Sequence, residues 1–239
     1  MRVAIVLTAA LLVTAAPAAA RPRTDTPIAP PAHAFSAMHG RALALGDSGM
    51  GVRKLRRDLV QLGYLPPLAF GPNYDERVMH AVTALQKWEN LPRDGAFGKS
   101  TRRAIRHLRV PRPELHLKRK VRAEVLLDRQ LLLIIHGDHV IRTIPISSGA
   151  GGLTHAGTFS IYSKAETSWS KKFKVWLPWA SYFDGGIAFH GYPDVPVVAA
   201  SHGCVRVPPK FAREVYNLLP LGTRVDVIET SMKAAPTVT

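Results

Sequence analysis

Apolar residues recur at helical spacing through the first half of the chain. Val52, Leu55, Leu59 and Leu62 fall three or four positions apart, behind the turn-forming Leu45-Gly46-Asp47-Ser48-Gly49 and ahead of Gly63, so they predict one amphipathic helix with both ends marked. Val78, Val82 and Leu85 predict a second helix opened by Asn73-Tyr74-Asp75, and Ala104, Ile105 and Leu108 a third opened by Ser100-Thr101. From Val121 the pattern changes to short β-branched runs. Val121 to Leu127, Leu131 to His136 and Val140 to Ile146 are separated by Asp128-Arg129-Gln130 and Gly137-Asp138-His139, both of hairpin-turn composition. Thr158 to Ser163, Ile187 to His190 and Arg224 to Glu229 read as further strands. Pro208-Pro209 can start a helix whose apolar face is Phe211, Val215 and Leu218, and Pro220 and Gly222 stop it.

These elements predict an α+β multidomain chain. A small three-helix domain spans 41–109, a polar linker with Pro111, Pro113 and a Lys/Arg cluster spans 110–120, a β-rich domain with one late helix spans 121–231, and a tail follows at 232–239. Residues 1–20 have a different character. Met1-Arg2 precedes an apolar run too short to span a bilayer comfortably, and Ala18-Ala19-Ala20 supplies small residues for cleavage, the pattern of a secretory signal. Retention as an anchor is the alternative. Residues 21–40, rich in Pro and Ala without periodicity, read as a disordered linker.

Charge and compartment narrow the partners. The formal net charge is +15, and only Arg2 would be lost with the signal. A surface this basic suits an anionic partner, or is simply solvated. Export and the lack of a recognisable nucleic-acid module argue against nucleic acid and favour anionic wall polymers or a membrane surface.

The candidate chemistry lies between Gly185 and Val207, the stretch holding Cys204, the one cysteine of the chain. A thiol attacks as its thiolate, so it needs a base beside it and N–H donors for the oxyanion. His190, at the end of an apolar strand, can be folded back onto Cys204 by the intervening loop, and the carbonyl of Gly191 can orient its ring. The N–H groups of Gly203 and Cys204 can point at an oxyanion. Ser201 is expected to hydrogen-bond the loop, His202 to shape it or act as a second base, and Arg206 to hold a substrate carboxylate or brace the loop. A lone cysteine is commonly a buried small hydrophobe. Export weighs against that reading, because one cysteine forms no internal disulfide and a thiol is exposed to oxidation outside the cytoplasm. A zinc set of His190, His202 and Cys204 lacks paired cysteines, an HExxH pair and a fourth ligand, so no metal or cofactor is expected.

His190-Gly191 followed by Ser201-His202-Gly203-Cys204-Val205-Arg206 resembles the signature of the L,D-transpeptidase catalytic domain family, the YkuD-like domain. Ser147-Ser148-Gly149 through Thr154 to Phe159, and Trp176 to Phe183, resemble two further stretches of the same family in the same order. The resemblance implies a β-sandwich-like fold, peptidoglycan stem peptides as substrates, and acylation of Cys204 by a tetrapeptide stem with loss of D-Ala. Transfer to an amine of a neighbouring stem would then form a 3→3 link. Water as acceptor would instead make a carboxypeptidase, and a degenerate site a wall-binding structural protein. The family often has Asn where this chain has Arg206. Tyr182, Trp176 and Trp179, upstream of His190, either wall the acyl-donor cleft or are core.

Residues 43–108 resemble a peptidoglycan-binding module, PG_binding_1, through Gly46-Asp47-Ser48-Gly49, Leu62-Gly63-Tyr64-Leu65 and Asp94-Gly95-Ala96-Phe97-Gly98. Arg56-Arg57 departs from its usual Gln. A weak repeat of a turn-plus-helix unit, Tyr74-Asp75 with His80-Ala81-Val82 against Phe97-Gly98 with Arg103-Ala104-Ile105, fits such a module. Glycan binding and a spacer role both remain open for it.

Overall fold

The computed structural model describes residues 41–67, 69–117 and 119–229. The expectations for the signal, the Pro/Ala-rich linker and the tail at 232–239 lie outside the described residues.

Three helices form the first part: α1 (Met50–Gln61), α2 (Glu76–Trp88) and α3 (Lys99–Ile105). Asp75 caps α2, its carboxylate accepting the Val78 N–H at 3.0 Å. α1 buries Val52, Leu55 and Leu59 and, with them, Arg56. That guanidinium stays satisfied by donating to the Ala69 and Asn73 carbonyls at 2.9 and 3.0 Å and pairing with Asp75, so Arg56 holds the α1–α2 connection together. Gln86 does the same for the turn before α3. Its amide donates to Asp94 and to the Ala96 carbonyl at 2.7 and 2.9 Å and accepts the Gly95 N–H at 2.9 Å. α3 is shorter than its apolar spacing predicts: Leu108 lies beyond its end.

The second part has two sheets. One contains β1 (Arg119–Leu126), β2 (Leu131–Gly137), β3 (His139–Pro145), β4 (Gly157–Ser160) and β9 (Arg224–Ile228), in the order β3-β2-β1-β9-β4. The other contains β5 (Ser163–Ser170), β6 (Val175–Asp184), β7 (Ile187–Gly191) and β8 (Val205–Val207), in the order β5-β6-β7-β8. Neighbours are antiparallel except β1 with β9 and β7 with β8. Leu131 to Ile135 are all fully buried, which explains their unbroken apolar run: α2 packs on β2 and β3, so this sheet is covered on both faces. α4 (Pro209–Leu218) buries Phe211, Ala212 and Val215 and packs on β6 and β7.

Two expectations change here. The strand expected from Thr158 to Ser163 is two strands, because β4 ends at Ser160 and the chain crosses between sheets through the buried Ile161. The β5–β6 hairpin was not apparent in the sequence, since no position of β5 is fully buried and no alternation results. The expected linker is pinned by buried side chains, and its end belongs to β1. The fully buried Glu124 accepts the Glu114 and Leu115 N–H groups at 2.7 and 3.1 Å, while the equally buried Arg122 lies 3.3 Å from Glu124 and donates to the Leu115 carbonyl.

Candidate active site

The parallel pairing of β7 with β8 brings the sequence-predicted residues together. His190 stands opposite Arg206, and Phe189 opposite Val205. Strand side chains alternate, so Cys204, two residues before Arg206, shares a face with Arg206 and His190. All three line one cavity of about 290 Å³. Tyr182, Gly186, Tyr192, Ser201 and His202 also line it, and the β5–β6 hairpin contributes Ser170, Phe173, Val175 and Leu177.

His190 is only 4% exposed. Its Nδ1 lies 2.9 Å from the Gly191 carbonyl, which can only accept, so Nδ1 carries the proton and Nε2 keeps its lone pair. Burial pulls the imidazole pKa down, the Gly191 bond opposes this, and the Arg206 charge adds to it. The ring is therefore neutral at neutral pH. Burial pushes the Cys204 thiol up, against the smaller opposing pulls of the Ala188 backbone and Arg206. Its Sγ lies 3.8 Å from the Gly186 carbonyl. Both groups are thus held uncharged, an arrangement in which the proton leaves sulfur as the sulfur attacks.

The loop before Cys204 is closed by its own hydrogen bonds. The Ser201 hydroxyl donates to the Cys204 carbonyl and accepts the Gly203 N–H at 3.1 Å. Of the expected oxyanion pair, the Gly203 N–H is thus engaged by Ser201. Gly203 has φ +125°, where L side chains are strained, and that turn brings Cys204 into register with β7. A second strand of support comes from the Ser147-Ser148-Gly149 segment. Thr154 Oγ1 accepts the Gly149 N–H and donates to the Gly203 carbonyl, both at 2.7 Å.

The remaining candidates separate. Tyr182 faces the cavity, with its hydroxyl 2.8 Å from Ser168 Oγ. His202 is exposed at the rim and stacks on Phe173 with ring centroids 4.9 Å apart. Arg206 lies over Tyr192, 4.4 Å from the ring centroid, and reaches the Asp194 carbonyl and carboxylate at 3.3 Å. Trp179 is not in the cavity. Its φ is +57°, and across it the cavity-facing positions of β6 switch from odd, Val175 and Leu177, to even, Tyr182. Its ring packs instead edge-on against Tyr216 of α4 at 5.5 Å and under Arg213. Trp176 is 60% exposed and pairs with Trp169 at 5.0 Å, also outside the cavity lining.

Leu177 and Gly186 lay inside stretches the sequence singled out but were not named as cavity residues, and Phe173 was not singled out at all, because the position of the hairpin and its return depends on strand pairing. Thr154 lay inside a matched stretch, but its hydroxyl bridge has no local signature. Among the described residues no group of three His, Cys, Asp or Glu side chains could hold a metal ion.

The chain is similar to known proteins in both of its parts. The family model of the L,D-transpeptidase catalytic domain (YkuD) matches residues 120–227, and that of a peptidoglycan binding domain (PG_binding_1) matches residues 48–105. The crystal structure of an L,D-transpeptidase from Xylanimonas cellulosilytica is similar over 79% of this chain and 98% of its own, with 31% identity and a TM-score of 0.72. One from Stackebrandtia nassauensis is 26% identical over 80% of this chain and 98% of its own, with a TM-score of 0.49. A Bacillus licheniformis protein named "Probable N-acetylmuramoyl-L-alanine amidase" is 38% identical over 71 residues, which are 29% of this chain and 20% of that protein. With a relative 31% identical and covered over nearly its whole length, the chain belongs to the L,D-transpeptidase family and carries a peptidoglycan-binding domain ahead of the L,D-transpeptidase domain.

Proposed function

We propose that the protein is an exported cysteine acyltransferase that cross-links peptidoglycan through Cys204. The observation that carries this is that Cys204 and the buried His190 line the same cavity where β7 pairs with β8. In this reading Cys204 Sγ attacks the carbonyl before the terminal D-Ala of a tetrapeptide stem while His190 Nε2 takes the thiol proton. The oxyanion falls to the Cys204 N–H, since Ser201 holds that of Gly203. The C–N bond breaks as His190 returns the proton to the departing amine, leaving a thioester on Cys204. An amine of a second stem then attacks the thioester, His190 takes its proton, and the thiol is regenerated as the 3→3 amide forms.

Tyr182, with Phe173 and Leu177 from the hairpin, forms the apolar wall against which the donor stem would lie. The domain ahead of it would keep the enzyme on wall glycan, consistent with action in the periplasm or wall and with a basic surface suited to anionic wall polymers. The test is mass spectrometry of disaccharide-tetrapeptide incubated with the protein and with Cys204→Ala. A cross-linked dimer plus free D-Ala, absent with the variant, supports the proposal. Tripeptide without dimer would make the acceptor water, and no product at all would overturn catalysis.

A further inference from the structure

Two cations of the helical domain reach into the frame that holds the cysteine loop. Lys87, in the last turn of α2, is 1% exposed, and its Nζ donates to the carbonyls of Gln130 at 3.1 Å and Ile146 at 2.8 Å. Gln130 passes the connection on. Its side chain donates to Ser148 Oγ and accepts the Ser148 N–H, both at 2.8 Å. The Ser148 carbonyl accepts the N–H groups of Ala200 and Ser201 at 2.9 Å, and the Ser201 hydroxyl bonds both Gly203 and Cys204. A continuous series of hydrogen bonds thus runs from an ammonium in one domain to the backbone of the thiol in the other.

The second cation acts elsewhere on the same loop. Arg93 donates to the Val197 carbonyl at 2.9 Å, next to Val198, whose carbonyl accepts from Ser147 Oγ at 2.7 Å. Both lie in the connection from β7 to the cysteine loop, residues 192–200, which has no helix or strand of its own. Its path therefore depends on side-chain hydrogen bonds of this kind. Burying an ammonium is costly unless its partners are well placed. Burial accordingly pushes the Lys87 pKa down to about 7. A helical domain serving only as a tether has no need of such a group in its interface.

We propose that Lys87 and Arg93 are positioning residues for Cys204, so that the helical domain is a structural part of the active site as well as a module that meets the wall. The proposal rests on the reading of Cys204 as nucleophile. Coupling through such contacts is worth a factor of about 3–30. In the full chain, Lys87→Met keeps the stem and removes the donors, and it should lower kcat on disaccharide-tetrapeptide about tenfold with KM within about twofold. Arg93 is only half-buried, so Arg93→Met should fold. It should lower kcat about fivefold, with Arg93→Lys recovering most of the loss. The rate of Cys204 alkylation by iodoacetamide, which needs no wall substrate, should fall about threefold or more in Lys87→Met and Arg93→Met.

Wild-type kcat and wild-type or faster alkylation in Arg93→Met, with Lys87→Met losing only thermal stability, would overturn the proposal. If even the wild type transfers no acyl group, the transpeptidase reading has failed, and the alkylation rates alone decide this one.

Discussion

Replacing Gly149 by alanine tests whether packing behind the cysteine loop places Cys204. Gly149 has φ −63° and ψ 129°, values any residue adopts, so its backbone does not require glycine. The space around it does. A Cβ there would lie 2.7 Å from Thr154 N, 2.8 Å from the Leu153 carbonyl carbon and 2.9 Å from Gly203 Cα, all backbone atoms. Against an ordinary contact of about 3.5 Å, the two segments must part by about 0.7 Å. Overpacking of this kind costs about 1–3 kcal/mol. The Thr154 bridge from the Gly149 N–H to the Gly203 carbonyl cannot keep two 2.7 Å bonds through that opening, and its loss adds about 1 kcal/mol. Stability should drop by about 2–4 kcal/mol, which lowers the urea midpoint by about 1–2 M for m near 2 kcal/mol/M. Turnover by the molecules that remain folded should fall about tenfold or more, because Gly203 immediately precedes the thiol. Gly151→Ala is the control: its φ is +59° but nothing lies within 4 Å of a Cβ there. It should cost about 1–2 kcal/mol of backbone strain and leave turnover unchanged. A Gly149→Ala protein with the wild-type midpoint and turnover would refute the reasoning.

Four further results are expected. With the Cys204 thiol pushed up by burial, its alkylation rate should keep climbing at pH values where a free thiol has levelled off, and an inflection below that of a free thiol would contradict the neutral pair. The folded state holds His190 neutral and so binds fewer protons than the unfolded chain below the ordinary His pKa of about 6.5. Its contribution is present above that value and lost as pH falls through it, so melting temperatures between about pH 7.5 and 5 should decline more steeply for wild type than for His190→Gln. Glu124→Ala strands the fully buried Arg122 and two linker N–H groups, and equilibrium unfolding should record a loss of about 3–5 kcal/mol. Finally, Trp179→Ala should destabilise the α4 packing without changing KM, whereas Tyr182→Ala should raise KM for the donor stem; a KM effect from Trp179 would return that ring to the cleft.

How much of this was legible in the chain follows from how local each feature is. The helix faces of Val52-Leu55-Leu59 and Val78-Val82-Leu85, the Asp75 cap and the strand starting at Ile187 are set by neighbours a few residues away, so periodicity and cap chemistry identify them. The reactive types at His190 and Cys204 were equally plain, because a thiol and an imidazole carry their chemistry wherever they stand. Features that depend on distant partners were not. The sequence spacing that invites both the Gly203 and Cys204 N–H groups toward an oxyanion cannot reveal that Ser201 takes the first. Nor can the aromatic pattern of Trp176, Trp179 and Tyr182 reveal the left-handed turn of the chain at Trp179 that leaves only Tyr182 in the cavity. Lys87 reads as a surface charge on an amphipathic helix, and it becomes a buried donor only because α2 meets the turn at Gln130 and the end of β3. The sequence by itself determined the helix faces, several of the strands and the reactive groups, through local periodicity and side-chain chemistry. Which donors are occupied, which rings face the cavity and which charges are buried was decided by the tertiary structure, because each depends on atoms brought close from tens of residues away.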